Sequence, residues 1–367
     1  MKGNRLLYAL AILLIMLVGV GLAGCQAAAT PNPEPTATPT AIVTPTATET
    51  LVPTITPTPT ATPLVSPLTG MPITSTALIE RRILAVRIGN DPAIRPQEGL
   101  GQADMVYEEV MEGWWDTRFT ALFLESEAER LRPLRSARLS GIYLGQQYNA
   151  AIVNTGASDG VRWAYSQTDV VNLDEFFHGL PYHSLSGYDY RGRMYSSTKE
   201  LRDYLKARDL EITTTIRSYV FSPDKPKGKP ALAVHIPYPH HCYVDWRYDP
   251  ASGLYLRWDE GIPHTDALDG KQISAANVVI LFAEHRPTDI VEDSIGATSI
   301  NIILEGSGRL QVLRDGVVIE GTWKLGDPHE PIVFYDASGN EIALKPGKTW
   351  VQLVPLDYEV EISVAAD

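Results

Sequence analysis

One tract in this chain cannot build regular structure, and it decides where folding is possible. From Ala27 to Pro67, Thr-Pro and Thr-Ala pairs dominate and no apolar period exists. Proline fixes its φ and removes a hydrogen-bond donor, so neither helix nor sheet propagates through such a stretch. Residues 26–67 therefore read as a disordered, polyproline-like stalk, extended by about 3 Å per residue where it is stiff. Thr/Pro tracts of this kind also accept O-glycans, and an unmodified linker fits the composition equally well.

The segment before the stalk is an address. Lys2 and Arg5 precede an apolar run from Leu6 to Ala23, which ends in Leu22-Ala23-Gly24-Cys25. A charged start, an apolar stretch and small residues before a cysteine match a bacterial lipobox, so residues 1–25 read as a lipoprotein signal peptide. Cys25 then becomes the acylated N-terminus, and its partner is membrane lipid, each buried CH₂ contributing about 0.8 kcal/mol. The alternative is an uncleaved membrane anchor, since the apolar run is nearly long enough to span a bilayer. Both readings place the remaining chain on the extracytoplasmic face of the cell membrane.

The net charge of −13 argues against a nucleic-acid binder, which needs a basic face. Two cysteines exclude a disulfide scaffold and a four-cysteine zinc site. Beyond the stalk the charge is uneven. Residues 68–229 carry 20 bases and 21 acids, whereas residues 230–367 carry 9 bases and 21 acids. The shift coincides with SPDKPKGKP at Ser222–Pro230, which reads as a linker. The expectation is an N-terminal domain over 68–225 and a C-terminal domain over 230–367.

The N-terminal half alternates element types. RRILAVRIGN at Arg81–Asn90, TRFTALFLES at Thr117–Ser126 and NAAIVNTG read as strands, and ADMVYEEVME as a strand or a helix. SARLSGIYLGQQY at Ser136–Tyr148 has helical spacing, with Ser136 as N-cap. STKELRDYLKARDL at Ser197–Leu210 carries a capping box, Ser197 with Glu200, and an apolar face of Leu201, Leu205 and Leu210. This pattern predicts a mixed α/β layer domain. The C-terminal half holds short β-branched or aromatic runs broken by Asp-Gly, Ser-Gly and Pro-Gly, with no helix after about Ala276. It predicts a mostly antiparallel β-rich domain. The fold class is therefore α+β or α/β.

Several constellations invite a chemical reading. Gly156-Ala157-Ser158-Asp159-Gly160 is a literal G-x-S-x-G after a strand, which would expose Ser158 as a nucleophile with His264 or His285 as base. A tight turn is the plainer account. His240 and Cys242 can share one face of a strand, but two ligands make no metal site, and Cys242 reads as a small buried hydrophobe. Asp266, Asp269, Asp293 and Asp315 lie near turns without a calcium-loop spacing, so the acidic half reads as a solvated surface. No cofactor is expected. Tyr188, Tyr190, Trp246, Tyr255, Trp258, Trp323 and Trp350 suit carbohydrate or peptide, and equally a core. Arginines concentrate at Arg130, Arg132, Arg135 and Arg138, with Arg95 and Arg118 in the same half beside Asp104, Glu108 and Glu112. Guanidiniums are costly to bury unpaired. Such a cluster is either an internal Arg–carboxylate network or an open anion cleft. The expectation is one cleft formed by Arg95, Gln97, Asp104, Glu108, Arg118, Arg135, Ser136 and Arg138.

The stretch SPLTGMPI, followed by ILAVRIGNDPAIRPQEGLGQADMVYEEVMEGWWDTRFTALFLESEAERLRPLRSAR, resembles the YerB-like family of bacterial lipoproteins. Asn90, Pro92, Arg95, Gln97, Gly99, Asp104, Tyr107, Glu108, Glu112, Arg118, Arg135 and Arg138 carry the likeness. It continues through Trp246, Arg257, His264, Asp266, Asn277, Gly321-Thr322-Trp323 and Pro346-Gly347-Lys348-Thr349-Trp350. The resemblance implies a membrane-tethered envelope protein built from tandem domains of unknown function, and it brings no reaction. This chain departs from the family pattern at Gly156-Ala157-Ser158, where a paired glycine usually precedes the serine. It also departs at Arg193–Ser197, where a Pro-His-Asn usually stands.

Two functional classes follow. The first is a non-catalytic binding module for a cell-wall glycan, a peptide or an envelope protein. The second is an extracytoplasmic hydrolase or transferase in which Ser158, or a carboxylate among Asp104, Glu108 and Glu112, acts. The absent histidine favours the first.

Overall fold

The computed structural model describes residues 64–365, so Cys25, the signal peptide and most of the stalk lie outside the described residues. The N-terminal half opens with strands β1 (Leu84–Gly89), β2 (Met105–Val110) and β3 (Thr117–Phe123), every residue of which is buried. ADMVYEEVME is thus a strand. β1 and β2 both pair antiparallel with β3. Helix α1 (Ser140–Gln147) then leads to β4 (Ala151–Asn154), and α2 (Asp159–Ser166) to β5 (Val171–Asp174). β1, β4 and β5 run parallel to one another, and the helices supply the crossovers that parallel strands require.

Helix α3 (Thr198–Ala207) follows its sequence signature closely. The Ser197 hydroxyl accepts from the Glu200 N–H at 3.2 Å and bonds the Glu200 carboxylate at 2.8 Å, and Leu201 and Leu205 are buried. Ser136 does not behave as predicted. Helix α1 begins only at Ser140, and the residues before it run extended. Leu131, Arg132 and Arg135 spend their N–H groups on the carbonyls of Ser196, Glu98 and Arg87. Those bonds hold the backbone out of helix until Leu139, so Ser136 caps nothing.

The C-terminal half contains no α-helix among the described residues. Its strands of three or more residues are β6 (Ala233–Ile236), β7 (Val244–Asp249), β8 (Leu254–Asp259), β9 (Asn277–Ala283), β10 (His285–Val291), β11 (Thr298–Ile302), β12 (Ser307–Arg314), β13 (Val317–Lys324), β14 (Val333–Asp336), β15 (Thr349–Pro355) and β16 (Glu361–Ser363). β12 and β13 form a hairpin closed by Asp315-Gly316, both at positive φ, as the Asp-Gly signal requires. β7 lies between β6 and β8 in a smaller antiparallel sheet, with β16 on its far edge. β10 and β11 form a separate two-stranded arm inserted between β9 and β12.

The fold class is a mixed α/β layer followed by a mostly antiparallel β half. The two halves share one sheet. Its order is β14-β13-β12-β9-β15-β2-β3-β1-β4-β5. The junction is β15, which runs parallel to β9 on one side and to β2 on the other, with Met105 opposite Thr349. A single buried apolar cluster includes Leu84, Val106 and Phe119 of the first half and Val278, Leu310 and Val351 of the second.

Candidate functional site

Adjacent residues of a strand point to opposite faces, so Glu108 and Glu109 of β2 part company. Each reaches its own buried arginine. Glu108 accepts two bonds from Arg257 of β8, at 2.9 and 3.0 Å, and further bonds from Thr117 at 2.8 Å and Trp350 at 3.2 Å. Arg257 sits on the inward-facing register of β8 and also donates to Asp259 at 2.9 Å. It bonds Nδ1 of His264 as well, and His264 Nε2 lies 2.7 Å from the side-chain carbonyl oxygen of Gln97. Burial and the neighbouring guanidinium push His264 well below the ordinary histidine range, so it is neutral. Arg95 joins the edge of this network through Glu260 at 2.7 Å and the His241 carbonyl at 2.6 Å. The network is a bolt between the halves, its charged groups spent on one another.

The opposite face carries Glu109 against Arg87, together with Arg118, Arg135 and Arg138. Arg138 holds Glu112 through a bond of 2.8 Å and lies 3.5 Å from Glu292 of the β10–β11 arm. Arg118 lies 3.6 Å from Glu112 and donates to the Ser136 carbonyl at 3.4 Å. Burial and the adjacent arginines draw Arg118 down to about 9, while the two guanidiniums hold Glu112 at about 2. The arm covers this cluster, with Ile300 and Ile302 against Glu109–Glu112.

The single cleft expected from the sequence is therefore three separate places. Arg118, Arg135, Ser136 and Arg138 meet on one face of β2 and β3. Arg95, Gln97 and Glu108 meet on the other. Asp104 joins neither group. The pleat parts Glu108 from Arg118, since a residue separation of one reverses the face, and Asp104 is set apart because it stands ahead of β2.

Asp104 precedes β2 and lines an open pocket of about 410 Å³, within the range of small-molecule sites. The first half contributes Thr69, Met71, Gln102, Asp104, Glu125 and Ser126, and the second Leu254, Ser274, Ala276 and Pro346-Gly347-Lys348. Parallel pairing of β2 with β15 brings Asp104 and Lys348 together, because each immediately precedes its strand. One Asp104 oxygen accepts the N–H groups of Leu124 at 2.6 Å, Glu125 at 3.1 Å and Ser126 at 3.4 Å. Burial, reinforced by the Glu125 charge, nevertheless raises the Asp104 carboxyl to about 7. Thr69 donates to Glu125 at 2.6 Å, and Lys348 at the rim donates to the Gly101 carbonyl. Sequence reasoning singled out Asp104 and missed Glu125 and Lys348 as its companions.

Ser158 caps α2, accepting from the Val161 N–H at 3.4 Å. His264 is engaged with Gln97 and Arg257, and His285 with the Ala283 carbonyl at 3.0 Å. No nucleophile–base pair forms at the G-x-S-x-G turn among the described residues. Cys242 is buried beside Arg95 and the Thr117 N–H, and burial raises its thiol to about 12. Trp246, Tyr255, Trp323 and Trp350 are buried core, while Tyr188 and Tyr190 are exposed.

Residues 68–211 match the profile described as Protein of unknown function (DUF3048) N-terminal domain, and residues 234–351 match the corresponding C-terminal domain. The chain is 31% identical over 302 residues to "Putative lipoprotein YerB" of Bacillus subtilis (strain 168), covering 78% of this chain and 85% of that protein. The chain belongs to the YerB family. A crystal structure of YerB protein from Bacillus subtilis superimposes with a TM-score of 0.71 at 28% identity, covering 81% of this chain and 99% of that one. The mixed sheet shared by the two halves is thus a fold that this chain has in common with a solved YerB structure. The matched profiles are named for unknown function, so membership of the YerB family assigns no reaction.

Proposed function

We propose that this YerB-family chain is a lipid-anchored, extracytoplasmic binding module whose ligand site is the pocket at Asp104, and not the arginine cluster. The pocket carries the reading. It is open, of ligand size, and built by both halves, whereas Arg118 and Arg138 are already matched to Glu112 and Glu292 beneath the β10–β11 arm. The lipobox ending in Cys25 and the name of the Bacillus subtilis relative support the anchor. A stalk between anchor and pocket suits a ligand in the cell wall, such as a glycan, a peptide or an envelope protein.

The test is ligand-detected NMR of a soluble cell-wall digest with the full chain and with Ser274→Trp, which places an indole in the pocket. The expected result is binding by the parent that disappears in a variant of unchanged melting temperature. Binding that survives the tryptophan, or no binding at all, refutes the assignment.

One observation favours a second reading. A carboxyl raised to about 7 in an open pocket is poised for proton transfer. Asp104 would then act as acid or base on bound envelope material. Turnover of the digest that Asp104→Asn abolishes would establish it.

A further inference from the structure

We propose that the Asp104 pocket recognises a primary ammonium group carried on a short aliphatic stem. This rests on the reading that the pocket is the ligand site, and it names the chemistry of that ligand.

Several buried carboxylates elsewhere in the first half meet guanidiniums. Glu98 lies 2.7 Å from Arg132, Glu108 2.9 Å from Arg257, and Glu109 and Glu112 against Arg87 and Arg138. Asp104 and Glu125 form no ion pair among the described residues, although Asp104 is buried and the two share one pocket wall. Lys348 acts on Asp104 only from a distance. Burying carboxyls together with no cation in contact is unfavourable, and a bound cation relieves it.

The neighbouring polar atoms point the same way. Oε2 of Glu125 and the side-chain carbonyl oxygen of Gln102 are buried and accept no hydrogen bond from the protein. Oxygen acceptors with unused capacity call for N–H donors from the ligand. The cation of the lining, Lys348, stands exposed at the rim and spends a donor on the Gly101 carbonyl. A carboxylate or phosphate ligand would meet like charge at Glu125. The remaining lining, Met71, Leu254, Ala276 and Pro346, is apolar and suits a stem of several methylenes. An ammonium has three donors for Asp104, Glu125 and Gln102. Two carboxyls fall short of the six to eight oxygens that calcium takes.

The experiment titrates the full chain with pentylamine, N-pentylacetamide and pentyltrimethylammonium, reading the amide resonances of Ser126 and Gly347. The first probe has charge and donors, the second no charge, and the third charge without donors. Pentylamine is expected to shift both resonances and to bind about tenfold more tightly than either control, the worth of one charge-assisted hydrogen bond. Glu125→Gln, which keeps the acceptor for Thr69, should lose about that factor for pentylamine and leave N-pentylacetamide unchanged. Equal binding of the three probes, or full pentylamine affinity in Glu125→Gln, overturns ammonium recognition. So does a wall digest that shifts the two resonances when pentylamine does not. If neither shifts them, the pocket assignment itself falls.

Discussion

Arg257→Met is the most informative single change outside the pocket. Both partners of the Arg257–Glu108 pair are fully buried, and the two bonds of 2.9 and 3.0 Å make it bidentate. Removing the guanidinium leaves Glu108 with Thr117 and Trp350 as donors and no countercharge. Burial already raises the Glu108 carboxyl, and Arg257 is the main influence that lowers it. Breaking one side of such a pair costs about 3–5 kcal/mol. For a folded body of this size each kcal/mol shifts the melting temperature by about 2 °C, so the variant should melt about 6–10 °C lower. Because Glu108 belongs to the first half and Arg257 to the second, the whole transition should move as one. Differential scanning calorimetry reads both quantities. Glu108→Leu combined with Arg257→Met removes the stranded Glu108 charge, while Asp259 keeps Arg95 at 3.5 Å, and should recover much of the loss, since paired apolar replacements are often neutral. The reasoning is refuted if Arg257→Met melts within a degree or so of the parent, or if the double variant is worse than the single.

Asp104 supplies a pH signature. Its carboxyl is raised to about 7 from 3.8, so the folded state binds the proton more tightly than the unfolded chain. The associated stability is complete at pH values below the unfolded value. It is lost as pH rises toward 7, by about 1.4 kcal/mol for each pH step over which only the folded chain keeps the proton. Asp104→Asn should therefore gain on the parent between pH 4 and 8 in urea melts, and equal pH profiles would contradict the raised carboxyl. Cys242 should resist iodoacetamide in the native protein and react once the chain is unfolded, because its thiol titrates at about 12. Limited proteolysis should nick the exposed lysines at 225 and 227, yet native gels should show one species, held together by β2 and β15. Cys25→Ser should abolish labelling by a clickable palmitate, and retained label would exclude acylation there.

Much of the local structure was legible because its causes are local. The capping box of α3, the Asp-Gly turn between β12 and β13 and the apolar runs of β1 and β3 depend on neighbouring residues. The Ser136 cap failed because its competitors are distant. Backbone bonds from Arg135 to Arg87 and from Arg132 to Glu98 outweigh a local preference. The pocket was half visible. Asp104 stood out, but Lys348 lies 244 residues away and meets it only through parallel strand pairing. A signal existed, since Asp104 and Lys348 each stand just ahead of an apolar run. Only the pairing of those runs gives the coincidence meaning.

Strand β15 also sets the order of events when the chain is made. It ends at Pro355 and completes the sheet beside β2, which begins at Met105. Until those last residues arrive, β2 keeps an open edge, and the first half cannot reach its final pairing ahead of the second. Most proteins made of successive domains fold from the N-terminus as they emerge. This chain defers closure to residues 349–355, with contacts of very long sequence separation that slow folding. Its late-closing strand acts as a built-in delay, and the two halves are then fastened through that same strand.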